Sequence, residues 1–227
     1  MILGVIPARL NSTRFPNKVI FSLNGKPIVE HVYNKAIQSN LIDKLVVAVD
    51  SEQTEKLINC SNIMMTSDKH ESGTDRVAEV ANSYDCDVVV NIQGDEPGID
   101  PKLIDQLISL FNDPDVKMAS VASTDLDKND FKNINVVKVN LDKDNNALSF
   151  VRNNIDPKKK YYRHIGIYAY RKKTLNLFTS LDQSDNEKKY SLEQLRALDN
   201  NIAIKLLISD FNHRSIDTKE DLKNYEN

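Results

Sequence analysis

The sequence predicts an α/β fold, a doubly wound and mostly parallel sheet with a smaller inserted antiparallel lobe. Three observations support this prediction. Short apolar runs alternate with amphipathic helical patterns over the first 122 residues, as in a doubly wound parallel sheet. After Asp125 this alternation stops, and two apolar runs are separated by the turn sequence KDNN, which indicates antiparallel strands. A chain of 227 residues is also long enough for one such core with an elaboration, or for two small lobes.

The elements follow in order along the chain. The run ILGVI at 2–6 is typical of a buried strand and is expected to end at Pro7. A helix begins at Pro27, which suits a first helical turn, and the charged run at 182–189 is expected to be a solvated loop. Further strands are predicted at 44–50, 62–65, from 87, and at 117–122, 136–142, 147–151, 161–171 and 202–208. Further helices are predicted at 52–58, 74–83, 101–111, 191–198 and after Thr218.

Composition excludes several classes of protein. The chain is 40% hydrophobic and 28% charged, with a net charge of -3, so no general nucleic-acid or membrane surface is expected. No apolar run approaches the roughly 20 residues of a spanning helix, and the start of the chain lacks the features of a leader, which predicts a cytoplasmic protein. Cys60 and Cys86 have no metal-ligand spacing and are expected to be core thiols.

The loop after the first strand carries a cluster of cations. Arg9, Arg14 and Lys18 lie within ten residues, where ligands of open α/β sheets bind. Three cations there suit a polyphosphate, because guanidinium groups pair bidentately and an ammonium acts as a point charge. The loop has no GK[ST] element, so side-chain charge has to hold the phosphates. A solvated basic loop is the alternative interpretation.

An acidic loop follows the strand VVVN. Gln93, Asp95 and Glu96 stand beside Gly94 and Pro97. A carboxylate at the carboxyl end of a strand that faces a triphosphate is a natural Mg²⁺ ligand, so Asp95 is the first metal candidate. The alternative is a turn in which Gly94 and Asp95 only reverse the chain.

The segment HESGTDRVAEVA opens a helix. Ser72 or Thr74 could simply cap it. Arg76 is harder to explain as a structural residue, because the helix dipole disfavours a cation near a helix start.

Two later segments carry further candidates that each have a structural alternative. The strand YYRHIGIYAY places His164, Gly166 and Tyr168 on one face, although a lone strand histidine is usually structural. Ser191 and Gln194 have capping-box spacing, so Gln194 could be a helix cap. Capping competes with metal binding at Asp217 in the same way, since Glu220 lies three residues further on.

These segments, in this order, resemble the 3-deoxy-manno-octulosonate (Kdo) cytidylyltransferases, also called CMP-Kdo synthetases. The resemblance covers nearly the whole chain. The motifs that carry it are IPARLNSTRFPNK, NGKPIVEHVY, HESGTDRVAEV, VVVNIQGDEP, VVKV with LDKDNNALSF, RHIGIYAYR, LEQLR and IDTKEDL. It implies a fold of the nucleotide-diphospho-sugar transferase type. It also implies cytidylyl transfer from CTP to a 2-keto-3-deoxy sugar acid, Mg²⁺ dependence, a homodimer and a role in lipopolysaccharide inner-core synthesis.

The resemblance also implies roles for individual residues. The change of pattern after Asp125 predicts an inserted lobe at 126–198 and a core of 1–125 and 199–227, and the resemblance implies nucleotide binding for the core and sugar binding and dimerisation for the lobe. Arg9, Arg14 and Lys18 would bind the triphosphate. Ala8, Ser72 and Arg76 would hold the cytidine, and Asp95 and Asp217 would bind the metal. Arg152, His164, Glu193 and Gln194 would bind the sugar acid, with Gln93 between the two substrates. Arg9, Lys18, Asp95 and Asp217 are the catalytic candidates.

The sequence departs from the family pattern at a few positions. Asn17 and Asn24 replace expected glycines, and asparagine tolerates the left-handed conformation. The stretch VRNNID after Phe150 and the glycine at Gly98 are unusual, which leaves open a variant acid sugar such as 8-amino-Kdo or a sialic-acid-like sugar. A glycosyltransferase of the same fold and a catalytically silent nucleotide-sugar binding protein are the remaining alternatives.

Overall fold

The computed structural model describes residues 1–10, 15–153, 155–212, 215–216, 221–222 and 225. The chain forms two compact units, one of Met1–Asp105 with Arg214–Asn227 and one of Gln106–His213. The expected division into core and lobe, at 125/126 and 198/199, concerns function and stays a prediction. The compact units divide elsewhere because strands at 118–123 and 204–209 pair within the second unit.

The first unit contains a parallel sheet in the order β6-β1-β4-β5. Its strands are β1 (Ile2–Ala8), β4 (Lys44–Val49), β5 (Ile63–Met65) and β6 (Val88–Asn91). The predicted stop of β1 at Pro7 is wrong by two residues, since Pro7 and Ala8 still pair with β4. The pairing of β1 with β6 ends at Val5. Pro7, which has no N–H, therefore removes no backbone hydrogen bond between these two strands.

A short hairpin and three helices complete the first unit around this sheet. The strands β2 (Ser22–Leu23) and β3 (Lys26–Pro27) are joined by Asn24 and Gly25, with φ values of 49° and 81°. This confirms that Asn24 takes the left-handed conformation expected of a glycine substitute. The helices are α1 (Ile28–Ala36), α2 (Glu52–Leu57) and α3 (Gly73–Asn82). A fourth helix, α4 (Pro101–Ser109), contains the boundary between the units. α2, α3 and α4 agree with the predicted helices to within two residues at either end, and α1 begins one residue after the predicted start at Pro27.

The second unit contains the predicted antiparallel strands. β7 (Met118–Ser123) pairs antiparallel with β10 (Tyr162–Arg171), which also pairs with β8 (Lys138–Leu141). β8 continues through the KDNN turn into β9 (Ala147–Val151), with Asn145 at a φ of 61°. The last strand, β11 (Ile204–Ser209), pairs parallel with β7. The register of β10 against β7 shifts between Ile165 and Tyr168, so this strand carries a bulge there.

The helices of the second unit differ from the prediction. α5 (Lys172–Ser180) was not expected. The predicted solvated loop at 182–189 is wrong, because α6 (Asp185–Tyr190) begins there with a capping box formed by Ser184 and Glu187. The predicted helix at 191–198 starts only with α7 (Leu195–Asp199), since Ser191 is left-handed with a φ of 52°.

Three smaller expectations concern the C-terminal helix, the two cysteines and the absence of a membrane-spanning helix. The predicted helix after Thr218 falls mostly outside the described residues. Cys86 is a core thiol as predicted, with its Sγ 3.9 Å from the Ala81 carbonyl oxygen. The same prediction for Cys60 is wrong, because this residue is only half-buried; burial and then Glu30 raise the pKa of Cys60 to about 12. In the described part of the chain, no helix has the length and apolar character needed to cross a bilayer.

Candidate active site

The cationic loop follows β1 in the first unit, and its two described cations are anchored. The backbone closes the loop where the Asn17 amide donates to the Leu10 carbonyl at 3.0 Å. Asn17 is left-handed at a φ of 58°, as expected for a residue in place of glycine, and a 3₁₀ helix starts at Lys18. The Arg9 guanidinium is exposed and donates to the Glu71 carbonyl at 3.2 Å, and Ala8 is buried at the end of β1. Arg14 lies outside the described residues.

Lys18 and Asp95 form the centre of this site. The Lys18 ammonium is 2.5 Å from Oδ2 of Asp95. Lys18 is 7% exposed, so its charge has to be compensated inside the protein. The structure therefore brings together a predicted phosphate-binding cation and the predicted metal-binding carboxylate.

The acidic loop can approach β1 this closely only because residue 94 is glycine. A Cβ on Gly94 would lie 2.8 Å from the carbonyl oxygen of Pro7, and backbone cannot yield as a side chain can. The Asp95 carbonyl accepts from the amide of Ile216 at 3.0 Å, which ties the C-terminal segment to the same loop. Asp217, the next residue in sequence, lies outside the described residues. The Gln93 amide nitrogen donates to Oδ1 of Asn91 at 3.2 Å.

The donor set at this site suits a magnesium ion only together with a nucleotide. Within the part of the chain that the structure describes, no three His, Cys, Asp or Glu side chains converge as a ready metal site. Mg²⁺ typically binds through one or two carboxylates and completes its shell with phosphate oxygens and water. Asp95 fits as such a carboxylate, at the strand end where the triphosphate is expected.

The start of α3 supports the capping interpretation of Ser72. Its hydroxyl oxygen accepts from the Asp75 amide at 3.1 Å, and the Asp75 carboxylate accepts in return from the Ser72 amide, also at 3.1 Å. This is a complete capping box. Thr74 is buried in the first turn of the helix rather than at the cap.

Arg76 has partners that sequence reasoning did not find. The side chain is 1% exposed and donates from Nη1 to the hydroxyl of Thr66, which follows β5. Its Nη2 lies 3.6 Å from Oδ2 of Asp50, which follows β4. Burial lowers the pKa of Arg76, and Asp50 opposes this shift. The unfavourable helix dipole is thus offset by the nearby Asp50 carboxylate. The sequence feature that could have revealed this partner is Asp50, an aspartate directly after the buried strand β4.

His164 is placed in the second unit by hydrogen bonding and ring packing. Its Nε2 lies 2.9 Å from the Ser120 hydroxyl. The ring meets Phe150 edge-on at a centroid distance of 5.0 Å and Tyr168 at 5.5 Å. The contact with Tyr168 confirms that these two side chains share a face. Burial raises the pKa of Tyr168, and the charge of Glu193 raises it further.

The other sugar-side candidates lie in the same unit. Arg152 donates to the carbonyls of Ile134 at 3.1 Å and Ser191 at 3.3 Å. Gln194 is buried and occupies the N-cap position of α7, but its side chain makes no capping hydrogen bond, so the capping interpretation is wrong. The reason is the left-handed Ser191, which ends α6 instead of opening a helix.

Lys138 is a further residue that sequence reasoning missed. It is fully buried, and its ammonium donates to the carbonyls of Asn133 at 2.7 Å and Arg152 at 2.8 Å. Burial lowers its pKa, while Asp130 opposes the shift. A lysine inside the apolar run VVKV was the available signal, because buried charges require partners.

Comparison with known proteins gives one consistent family. The sequence model described as cytidylyltransferase matches residues 3–206. A relative from Pelobacter propionicus, named 3-deoxy-manno-octulosonate cytidylyltransferase, is 38% identical and aligns over 97% of this chain and 94% of its own length. A relative from Chloroherpeton thalassium with the same name is 42% identical, over 96% of this chain and 93% of its own.

A solved structure shows the same fold. It is described as CMP:2-keto-3-deoxy-manno-octonic acid synthetase complexed with CTP. It superposes with a TM-score of 0.92 at 32% identity and covers 99% of this chain and 96% of that one. The predicted fold class and the resemblance seen in the motifs are thereby confirmed.

Proposed function

The chain belongs to the 3-deoxy-manno-octulosonate cytidylyltransferase family, and from that membership we propose that it transfers CMP from CTP to Kdo and releases pyrophosphate. The observation that carries this proposal is the Lys18–Asp95 pair at 2.5 Å. It supports the proposal because the cation proposed to bind phosphate and the carboxylate proposed to bind the metal lie together after β1 and β6, in a chain whose relatives bear that name.

The transfer requires positioning and charge neutralisation more than a covalent intermediate. The anomeric oxygen of the sugar acid bonds to the α-phosphorus as its proton is lost, and the bond from that phosphorus to the bridging oxygen breaks. Pyrophosphate leaves with the bonding electrons. Lys18 supplies a buried positive charge for the triphosphate, and Arg9 supplies an exposed one that the Glu71 carbonyl orients. Arg14 is proposed as the third cation of this loop.

Arg76 is proposed to help hold the cytidine. Its guanidinium is directed to Thr66 and Asp50 and is buried. It therefore supports the cytidine site by fixing the first turn of α3 to the ends of β4 and β5. Ser72, through its capping box, sets where that turn begins. The backbone around Ala8 and Ser72 remains the proposed cytidine contact.

Magnesium is proposed as the cofactor, with Asp95 and Asp217 as its protein ligands. When bound, the ion would neutralise phosphate charge and lower the pKa of the attacking hydroxyl. We expect Asp95→Asn to abolish turnover and to lower the thermal unfolding temperature, because the substitution removes the carboxylate paired with the buried Lys18 ammonium. Asp217→Asn distinguishes the two roles of that residue, because asparagine caps a helix about as well as aspartate. Retained turnover in Asp217→Asn would assign Asp217 to capping. Retained turnover in Asp95→Asn would show that Asp95 is not a metal ligand.

The second unit is proposed to bind the sugar acid. Arg152 suits the carboxylate, because a guanidinium presents two parallel donors. His164, Glu193 and Gln194 would meet hydroxyl groups, with Gln93 between sugar and nucleotide. We also propose a homodimer located in the cytoplasm and a role in lipopolysaccharide synthesis. The family name supports the last of these, since Kdo is the acceptor that it specifies.

The test is pyrophosphate release by the purified protein with CTP and Mg²⁺. A panel of Kdo, 8-amino-Kdo and N-acetylneuraminate identifies the acceptor, and Kdo is expected to have the highest kcat/KM. Preference for one of the other acids would support the variant-sugar alternative, for which VRNNID and Gly98 are the sequence observations. No turnover with any acid, combined with binding of CTP, would favour a silent nucleotide-sugar binding protein.

A further inference from the structure

We propose that Tyr225 is a positioning residue for the Lys18–Asp95 pair. It acts through a small apolar cluster that holds both members of the pair by their backbones. All of these contacts lie within the first unit. Their consequence for turnover rests on the proposed function.

The cluster joins parts of the chain that are far apart in sequence. Its members are buried, each at most 6% exposed, and they are Phe15 of the cationic loop, Leu23 of β2, Ile28 at the start of α1, and Ile216 and Leu222 of the C-terminal segment. Tyr225 packs against these five residues, the loop cluster. The loop cluster therefore fastens the C-terminal segment to the cationic loop by burial of apolar surface.

Two backbone hydrogen bonds connect the loop cluster to the catalytic pair. The Lys18 amide donates to the Phe15 carbonyl at 3.2 Å, and the Ile216 amide donates to the Asp95 carbonyl at 3.0 Å. One bond reaches the cation and the other reaches the carboxylate that lies 2.5 Å from it. A displacement of Phe15 or Ile216 therefore moves one member of the pair relative to the other.

Tyr225 also contacts the acidic loop that carries Asp95. A Cβ on Gly98, three residues after Asp95, would lie 3.2 Å from Oη of Tyr225, so the ring packs where glycine leaves room for it. The backbone at Tyr225 is fixed as well, because its amide donates to the Leu222 carbonyl at 2.9 Å and its carbonyl accepts from Nδ2 of Asn24 at 3.3 Å. One residue thus packs on the loop cluster and on the acidic loop together.

The proposed reaction is sensitive to this arrangement because it depends on positioned charge. A misplacement of about 1 Å in a catalytic constellation can cost on the order of 100-fold in rate. The residues proposed to bind the sugar acid, apart from Gln93, belong to the second unit, which contributes no residue to the loop cluster. Loss of Tyr225 should therefore reduce kcat and leave KM for Kdo near its wild-type value.

Hydrogen exchange measured by NMR tests the positioning without any turnover. Tyr225→Ala should raise the exchange rates of the Lys18 and Ile216 amides by about 10-fold or more, because loss of a packed ring destabilises the local structure. Tyr84→Ala is the matched control, since this tyrosine is also half-buried in the first unit but follows α3 and lies outside the loop cluster. It should leave both rates within about 2-fold of wild type. Unchanged rates in Tyr225→Ala, or an equal rise in Tyr84→Ala, would overturn the proposal.

Kinetics provides the second readout. Tyr225→Ala should lower kcat by about 10-fold and change KM for Kdo by less than about 2-fold, whereas Tyr84→Ala should lower Tm and leave kcat unchanged. An equal loss of kcat in the two variants, or a wild-type kcat in Tyr225→Ala, would refute the positioning role. If Tyr225→Ala fails to fold, Tyr225→Leu, which keeps an apolar group against the loop cluster, takes its place with an expected loss of about 3-fold.

Gly98→Ala tests the same contact from the acidic loop. The added Cβ would meet Oη of Tyr225 at 3.2 Å but the ring carbons Cε1 and Cζ only at 3.6 and 3.8 Å, so the hydroxyl is the group that has to yield. Gly98→Ala should lower kcat by about 2- to 5-fold in wild type and by less in the Tyr225→Phe background, which lacks that hydroxyl. The same loss in both backgrounds would contradict the contact. Absence of turnover in wild type would refute the proposed function, while hydrogen exchange would still decide the positioning.

Discussion

Replacing Gly94 by alanine should damage both stability and activity, because the acidic loop passes β1 too closely for a side chain. The added Cβ would lie 2.8 Å from the Pro7 carbonyl oxygen, about 0.7 Å short of the roughly 3.5 Å of a relaxed contact. Overpacking of this kind costs about 1–3 kcal/mol. For a chain of this size that corresponds to a fall in Tm of about 2–12 °C. The loop must move, and with it Asp95, so we expect kcat to fall on the order of 10- to 100-fold.

The matched control for this prediction is Gly73→Ala. A Cβ there meets only the side chain of Pro7, at 3.4 Å, and the residue opens α3. Alanine at a helical position restricts the unfolded chain, so stability should be unchanged or rise by about 0.4–1 kcal/mol. Thermal unfolding and pyrophosphate release are measured for both variants. A wild-type Tm and kcat in Gly94→Ala, or an equal loss of Tm in Gly73→Ala, would refute the reasoning.

Two further predictions concern charged groups. Burial pushes the pKa of Asp105 upward, but hydrogen bonds from Ser39 and Asn40 outweigh it and leave the pKa below its usual value. The stabilisation is therefore present above the ordinary aspartate pKa of about 3.9 and is lost as pH falls through the lowered value. Asp105→Ala should lower the free energy of unfolding at pH 7. In urea titrations, the difference in that free energy between wild type and variant should be smaller at pH 3 than at pH 7. A difference that does not change with pH would contradict this. Lys138→Met removes the donor to the Arg152 carbonyl and should raise KM for Kdo but not KM for CTP. Arg171→Met, the control, also removes contacts to backbone carbonyls and should change neither KM. Equal effects of the two substitutions on KM for Kdo would contradict the link between Lys138 and Arg152.

The first unit could be predicted closely because its signals are local. A buried parallel strand is a continuous apolar run, and its helices carry one apolar face, so β4 and α1 could be located from composition and periodicity. The left-handed Asn17 and Asn24 were predictable for a similar reason, since few residues other than glycine adopt that backbone conformation.

The second unit shows where local signals failed. The segment at 182–189 is polar and predicted a loop, but Glu187 pairs with Arg196 at 2.6 Å and both side chains are buried. A helix of six residues is unstable alone and is stabilised here by tertiary contacts. The capping pattern of Ser184 and Glu187 was present in the sequence, and it was the usable signal.

The sequence by itself determined the family, the order of strands and helices in the first unit, and which residue types surround the site. Only the tertiary structure decided the partners of these residues. Lys18 and Asp95 are 77 positions apart and meet at 2.5 Å, and Arg76 on α3 lies 3.6 Å from Asp50, which follows β4. The physical reason is that propensity and periodicity report on neighbours along the chain, whereas buried charges and hydrogen bonds are satisfied by whatever folding brings beside them.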